Sequence, residues 1–261
     1  MTTVLADSHV HLDWFADPDL VVARARQAGV GLLVSIGVDE LSARRTVEIA
    51  HRCPGIVAAV GYHPAYLPDS FGPDQITALD AIASDPSVGM IGEIGIDTVD
   101  SPVPLERQVA AFRAQLALAR RLSLPVNLHL RGDYEAAFGV LSRDGVESGG
   151  IVHYFVGSEI DAHRFLSLGL LISIGKPVTR RENLALRQAA CQIPLDRLLL
   201  ETDSYPLSGR TTEPSDVVLV AEALAELRGT SSSSVASATF ENLRRVLPAR
   251  ALAWAERRMS R

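Results

Sequence analysis

Eight short runs rich in β-branched and other apolar residues, each followed by a longer stretch of helical periodicity, constrain this chain more than any other feature. The candidate strands are Val4 to His9, Gly31 to Gly37, Ile56 to Gly61, Val88 to Glu93, Val126 to His129, Ile151 to Tyr154, Leu170 to Ile174 and Leu198 to Thr202. Between and after them, Pro18 to Ala28, Leu41 to Arg52, Asp74 to Ser84, Leu105 to Leu122, Tyr134 to Ser142, Glu159 to Leu168, Glu182 to Cys191, Ser215 to Arg228 and Val235 to Leu247 read as amphipathic helices. Parallel strands need crossover connections, so the alternation describes βα units around a parallel sheet. Eight units in about 250 residues match a closed (β/α)8 TIM barrel in count and length. An open doubly wound sheet is the competing arrangement. The barrel is favoured because the polar residues that stand out fall at the C-terminal strand ends, where that fold gathers its chemistry.

With 47% hydrophobic residues the chain can bury a large core, and no domain-separating linker interrupts it, so residues 1–261 are expected to form one domain. The polar run Thr230 to Ser234 reads as a loop ending in an N-cap serine, and the basic tail Trp254 to Arg261 as a frayed, solvated terminus. A net charge of −6 argues against generic affinity for phosphate backbones, so any nucleic-acid contact must be local. No apolar stretch approaches the roughly 20 residues of a membrane span and the opening residues carry no basic segment, so no membrane partner and a cytoplasmic location are expected. Cys53 and Cys191 lie singly in helical stretches, which suits buried packing in a reducing compartment.

The chemistry resides in the histidines. His9 and His11 flank Val10 at the end of the first candidate strand, and strand alternation predicts that both project from one face with Ser8 and Val10 turned away. His63, His129 and His153 each stand at or just past the end of another apolar run, whereas His51 and His163 fall in helical stretches and read as solvated or packed. Glu93 ends the fourth candidate strand and Asp203 follows the eighth. His9, His11, Glu93, His129, His153 and Asp203 therefore share one barrel mouth. Nitrogen and oxygen donors in this mixture suit Zn²⁺, Mn²⁺, Fe²⁺ or Ni²⁺ better than Ca²⁺. Six donors exceed the need of one catalytic ion; two ions about 3.5–4 Å apart, bridged by a carboxylate and a water, would use them all.

The runs that carry these residues resemble the successive motifs of the TatD-family metal-dependent hydrolases, within the amidohydrolase superfamily. They are DSHVHLD at 7–13, GYHP at 61–64, GEIGID at 92–97, PVNLHLR at 125–131, HYFVG at 153–157, ISIG at 172–175 and LETDS at 200–204. Gln108 to Arg120 resembles the family's fourth helix and Thr239 to Leu247 its closing helix, so the likeness spans about residues 4 to 247. It implies a magnesium-, manganese- or zinc-dependent phosphodiesterase, typically a deoxyribonuclease that trims DNA from the 3′ end with metal-activated water. By the same resemblance His9, His11, Glu93 and Asp203 would hold one ion, and Glu93, His129 and His153 the other. Other branches of the superfamily bridge their ions with a carbamylated lysine. Here 24 of the 25 basic residues are arginines, and the single lysine, Lys176, follows the seventh strand, which leaves Glu93 as the bridge.

In that scheme Asp203 orients the attacking water and accepts its proton, while His63 serves as a phosphate ligand or leaving-group partner. Arg131, two residues beyond His129, would aim a guanidinium into the same mouth to grip phosphate, or else pair with Asp133 at the rim. Asp7 is placed to orient a ligand from behind, and Asp97 either does the same or stabilises its loop. Two segments depart from the family pattern. Thr98 to Pro102 supplies neither ring nor positive charge after Asp97, and the segment after Asp203 is short, with Thr211 or Thr212 where an asparagine is expected. Loss of a stacking ring weakens single-strand binding. The alternative to single-stranded DNA or 3′ ends as partner is thus a small ester substrate, with the protein acting as a small-molecule phosphodiester, lactone or amide hydrolase on the same binuclear barrel.

Overall fold

A computed structural model describes residues 4–208 and 212–257. Its strands are β1 (Leu5–Val10), β2 (Val30–Ile36), β3 (Ile56–Val60), β4 (Val88–Asp97), β5 (Val126–Arg131), β6 (Gly150–Val152), β7 (Leu171–Ile174) and β8 (Leu198–Leu200). They form one sheet in sequential order, and every neighbouring pair from β1/β2 to β7/β8 is parallel. The ring closes through a single parallel bridge, Val10 to Ser204, with Asp203 N donating to His9 O and His11 N to Ser204 O, both at 3.0 Å. This is the (β/α)8 barrel that the periodicity predicts.

The helices are α1 (Pro18–Gln27), α2 (Glu40–Arg52), α3 (Pro73–Ala83), α4 (Leu105–Leu122), α5 (Tyr134–Asp144), α6 (Glu159–Ser167), α7 (Leu184–Gln192), α8 (Val217–Arg228), α9 (Ser232–Val246) and α10 (Ala249–Arg257). Their starts follow local chemistry. Asp17, Asp39, Asp133, Ser158 and Ser231 each accept a hydrogen bond from an otherwise orphaned amide of the first turn. Ser231 is the cap expected in the polar run, and the helix begins three residues earlier than Val235.

Alternation along the strands divides the core in two. Ala6, Leu32, Val34, Ile36, Val57, Ala59, Met90, Ile151 and Leu199 fill the barrel interior, and Leu243, Leu247, Ala251 and Ala255 pack against them as a plug from α9 and α10. The intervening residues, such as Leu33, Ile56, Ala58 and Ile91, pack outward against the helices. The tail is therefore not frayed as far as it is described: Trp254 lies in α10 and its indole N–H donates to Ala50 O at 3.4 Å. Residues 258–261 lie outside the described residues, as does Thr211.

Strand ends also differ from expectation. β4 and β5 run on to Asp97 and Arg131, while β6 and β8 are three residues each. Simple alternation fails at one instructive point. Between Asp7 and Val10 the register to β2 shifts, and Ser8 turns inward to meet Ser173 Oγ at 2.8 Å instead of facing away from the histidines. Close approach of β4 to β5 depends on Gly95, at φ 149°, where an added Cβ would lie 2.0 Å from His129 O. Among the described residues no helix is long and apolar enough to cross a membrane.

Candidate metal centre

The strand ends bring all six sequence-selected donors together. His9 comes from β1 and His11 from the residue past it, Glu93 from β4, His129 from β5, His153 from the residue after β6 and Asp203 from three residues beyond β8. Glu93 stands in the middle, with its two oxygens facing different partners. Oε2 lies 3.4 Å from His9 Nε2 and 3.7 Å from His11 Nε2. Oε1 lies 2.7 Å from both His129 Nδ1 and His153 Nε2, and 3.6 Å from His63 Nε2. Asp203 Oδ1 completes the first group at 3.4 Å from His11 Nε2 and 3.7 Å from His9 Nε2. Asp203 holds a left-handed backbone, φ 49°, a conformation that a non-glycine residue keeps only where its surroundings enforce it.

The donor set fits divalent cations. His9 Nε2 and His11 Nε2 face each other at 3.3 Å, and His129 Nδ1 and His153 Nε2 at 3.1 Å. Ligand atoms about 2.0–2.2 Å from one ion stand roughly 3.0–3.5 Å apart, which is the spacing seen here. The opposite ring nitrogens are committed elsewhere. His9 Nδ1 donates to Asn127 Oδ1 at 3.0 Å, and His129 Nε2 donates to Asp97 Oδ2 at 3.1 Å, so the nitrogen turned to the centre keeps its lone pair. His153 Nδ1 lies 3.5 Å from Glu201 Oε1.

Charge in the centre follows from burial. Burial alone would raise the Glu93 carboxyl, but His153, His63 and His9 outweigh it and hold the group well below the carboxylate range. Asp203 is lowered to about 2, its burial overcome by His11 and then His9. Burial opposes a charge on His11, His129 and His153 as well, yet the facing carboxylates raise all three. No arginine or lysine belongs to the six, so a divalent cation is the charge that would balance the two carboxylates, held by imidazoles in their neutral form.

His63 is different. Burial lowers it to about 3, and its Nδ1 accepts from the Ala65 amide at 3.0 Å, so the neutral ring carries its proton on Nε2 and presents a donor to the centre. Arg131 does reach the mouth, but its guanidinium is paired with Asp100 at 2.8 Å and not with Asp133, whose carboxylate caps α5. Asp97 does both jobs considered for it: besides holding His129, it accepts from the amides of Val99 and Asp100, each at 2.8 Å. Asp7 departs from its expected place behind an imidazole. It accepts from the His9 backbone amide at 3.2 Å and from Thr202 N at 3.0 Å and Oγ1 at 2.5 Å, closing the β8/β1 seam. The ring of His9 is held by Asn127 instead.

Sequence reasoning missed Asn127, Glu201 and the rim. Asn127 had a signal, since it lies two residues before His129 on the same strand. Glu201 is fully buried, accepts from the Tyr154 amide and braces His153. Above the centre is a cavity of about 340 Å³ whose lining includes Trp14, Tyr66, Asp100, Arg131, Asp203 and Tyr205.

The family described as TatD related DNase matches residues 6–248. An uncharacterized metal-dependent hydrolase of Bacillus subtilis, YabD, is 34% identical over 252 residues, covering 93% of this chain and 98% of its own. A Klebsiella pneumoniae protein named 3′-5′ ssDNA/RNA exonuclease TatD is 35% identical over 240 residues, covering 87% of this chain and 90% of its own. The crystal structure of YjjV, a TatD homolog from Escherichia coli, superposes with a TM-score of 0.88 at 31% identity, covering 95% of this chain and 99% of that one.

Proposed function

This chain belongs to the TatD family of metal-dependent hydrolases, and from that premise we propose that it is a nuclease that removes nucleotides from the 3′ end of DNA. The observation that carries the reading is the divided environment of Glu93, one oxygen toward His9 and His11 and the other toward His129 and His153. In this reading His9, His11, Glu93 and Asp203 would hold one divalent ion, and Glu93, His129 and His153 a second. When bound, such ions acidify a water and withdraw charge from phosphoryl oxygens.

The remaining work falls to side chains. Of the two carboxylates only Asp203 is open to an arriving water, its side chain being 19% exposed against 3% for Glu93. Ionised and fixed by its neighbours, it orients the water and takes its proton. His63 offers its Nε2–H to a phosphoryl or leaving oxygen. Arg131 exchanges part of its contact with Asp100 for a phosphate oxygen, which fixes the substrate end in place. Residues 1–261 act as one catalytic domain in this proposal, in a cytoplasmic setting.

A second reading, hydrolysis of a small ester, draws support from the cavity, which at about 340 Å³ is near the lower limit of ligand pockets. End-labelled single-stranded DNA separates the two. With ions loaded and counted, the protein should release labelled mononucleotide from the 3′ end and should stop when chelator is added. Intact DNA alongside turnover of a small diester would favour the second reading, and inertness toward both would overturn each.

A further inference from the structure

The segment after Asp97 carries no ring, yet the mouth is not without aromatic surface. Trp14 ends the 3-10 turn Leu12–Trp14 that follows β1, Tyr66 lies in the loop after β3, and Tyr205 lies in the segment after β8. The Trp14 ring is stacked on His11, with centroids 4.7 Å apart and planes at 19°. Tyr205 meets Trp14 edge-on at 5.4 Å, and Tyr66 does so at 6.4 Å. All three line the cavity that holds Asp203 and Glu93. Three loops far apart in sequence thus assemble one aromatic wall beside the reacting centre.

This wall is not core. Trp14 is 37% exposed and Tyr66 48%, whereas the largest fully buried rings of the protein, Phe112, Phe155 and Phe165, belong to the helix layer. Clustered aromatic area left in water at a cavity is the kind of surface that a planar ligand covers. The same cavity is lined by Arg131, at the end of β5, and Asp100, in the loop after β4, which form an ion pair at 2.8 Å. Aromatic rings, a guanidinium and the candidate metal centre lining one cavity match the three parts of a nucleotide end: a base, a phosphate and the bond to be cut.

We propose that Trp14, Tyr66 and Tyr205 form a stacking platform for the nucleobase beside the scissile phosphate of a single-stranded end. The proposal rests on the nuclease reading above and deepens it. Every base offers a π-face, so the platform tolerates sequence; a base paired in duplex has its faces covered by neighbours, so single strands are preferred. Stacking contributes about 1–3 kcal/mol per base, which is about 5- to 150-fold in affinity.

The test uses the metal-loaded enzyme and hydrolysis-resistant phosphorothioate hexanucleotides. One ends in the fluorescent base 2-aminopurine and another in an abasic sugar. The base-bearing end should bind about 5- to 150-fold more tightly and its emission should be quenched. Trp14→Leu and Tyr205→Ala should lose both effects while Trp14→Phe keeps them. Tyr66→Ala, an exposed ring that packs beside His63 at 5.4 Å, repeats the binding test should Trp14→Leu fail to fold. Equal binding of the two ends, or undiminished quenching in the variants, overturns the platform. Cleavage of ordinary DNA with such indifference to the base would still leave the nuclease reading standing. Quenching that depends on Trp14, without cleavage of any DNA, supports the platform and overturns the nuclease reading.

Discussion

Asn127 Oδ1 accepts the Nδ1–H of His9 at 3.0 Å and so decides which nitrogen of that imidazole faces the centre. The amide is itself oriented, since Nδ2 points to Ser8 O at 3.5 Å, and it fits beneath Gly92, where an added Cβ would come within 2.6 Å of the Asn127 side chain. Asn127→Leu, of similar volume, removes the acceptor without opening a cavity. Metal affinity should fall about 10- to 100-fold while the circular dichroism spectrum is retained. Competition with a chromophoric chelator measures it, and unchanged affinity would show that Asn127 does not set the His9 tautomer.

Glu93→Ala should leave at most one ion per chain by elemental analysis, because it removes the carboxylate whose two oxygens face the two sides of the cluster. Two ions retained would exclude the bridge.

Asp203→Asn keeps shape and backbone but cannot take a proton. Turnover of DNA should fall by about 10²- to 10⁴-fold, the range for a lost general base, with melting temperature nearly kept. Undiminished turnover would remove Asp203 from the reaction.

Stripping the protein with chelator should lower its melting temperature, since ions that bind only the folded centre stabilise it by mass action. At a free ion concentration of about 100 Kd the effect is about 2.7 kcal/mol, or roughly 5–10 °C for a chain of this size. Calorimetry before and after ion replacement checks this, and identical transitions would mean that the cluster binds no ion tightly.

How much of this was legible before the fold is clear from particular residues. The barrel and the six donors could be read because each donor interrupts or ends an apolar run, so strand periodicity and chemistry point to the same end of the sheet. The partners of those donors could not. His9 and Asn127 lie 118 residues apart and meet across the barrel interior, a contact that no local period encodes. The Trp14–Tyr205 contact hid for the same reason. α10 gives a weak sequence signal because the residues it buries are small: Ala251 and Ala255 become core only once the barrel floor exists. Ser8 turned the wrong way because one register shift reverses every inference drawn from alternation.

Cys53 should be inert toward thiol reagents at pH 8. It is buried, and burial together with its hydrogen bond to Asp19 pushes the thiol up to about 12, so the thiolate is scarce. Cys191 is only partly buried. Ellman's reagent should therefore titrate one thiol in the native protein and two after denaturation. Rapid reaction of both would mean that the Cys53 pocket opens readily.

The barrel seam should be the most sensitive point outside the centre. β8 is only three residues long and joins β1 through one bridge, so Asp7, fully buried, holds the junction by accepting from Thr202 N, Thr202 Oγ1 and His9 N. Ser204 extends the chain by donating to Thr202 Oγ1 at 2.6 Å. Asp7→Ala would strand three buried donors, each costing about 1–3 kcal/mol when unpaired. Partial relaxation leaves an expected loss of about 3–5 kcal/mol, or roughly 6–20 °C in melting temperature. Asp7→Asn keeps one acceptor oxygen and should lose about half as much. The same substitution loosens Asp203, because the backbone of residues 202–204 is fixed by this network, so ion affinity should fall along with stability. A variant that melts early yet binds ions as tightly as the parent would show that the seam and the centre are independent.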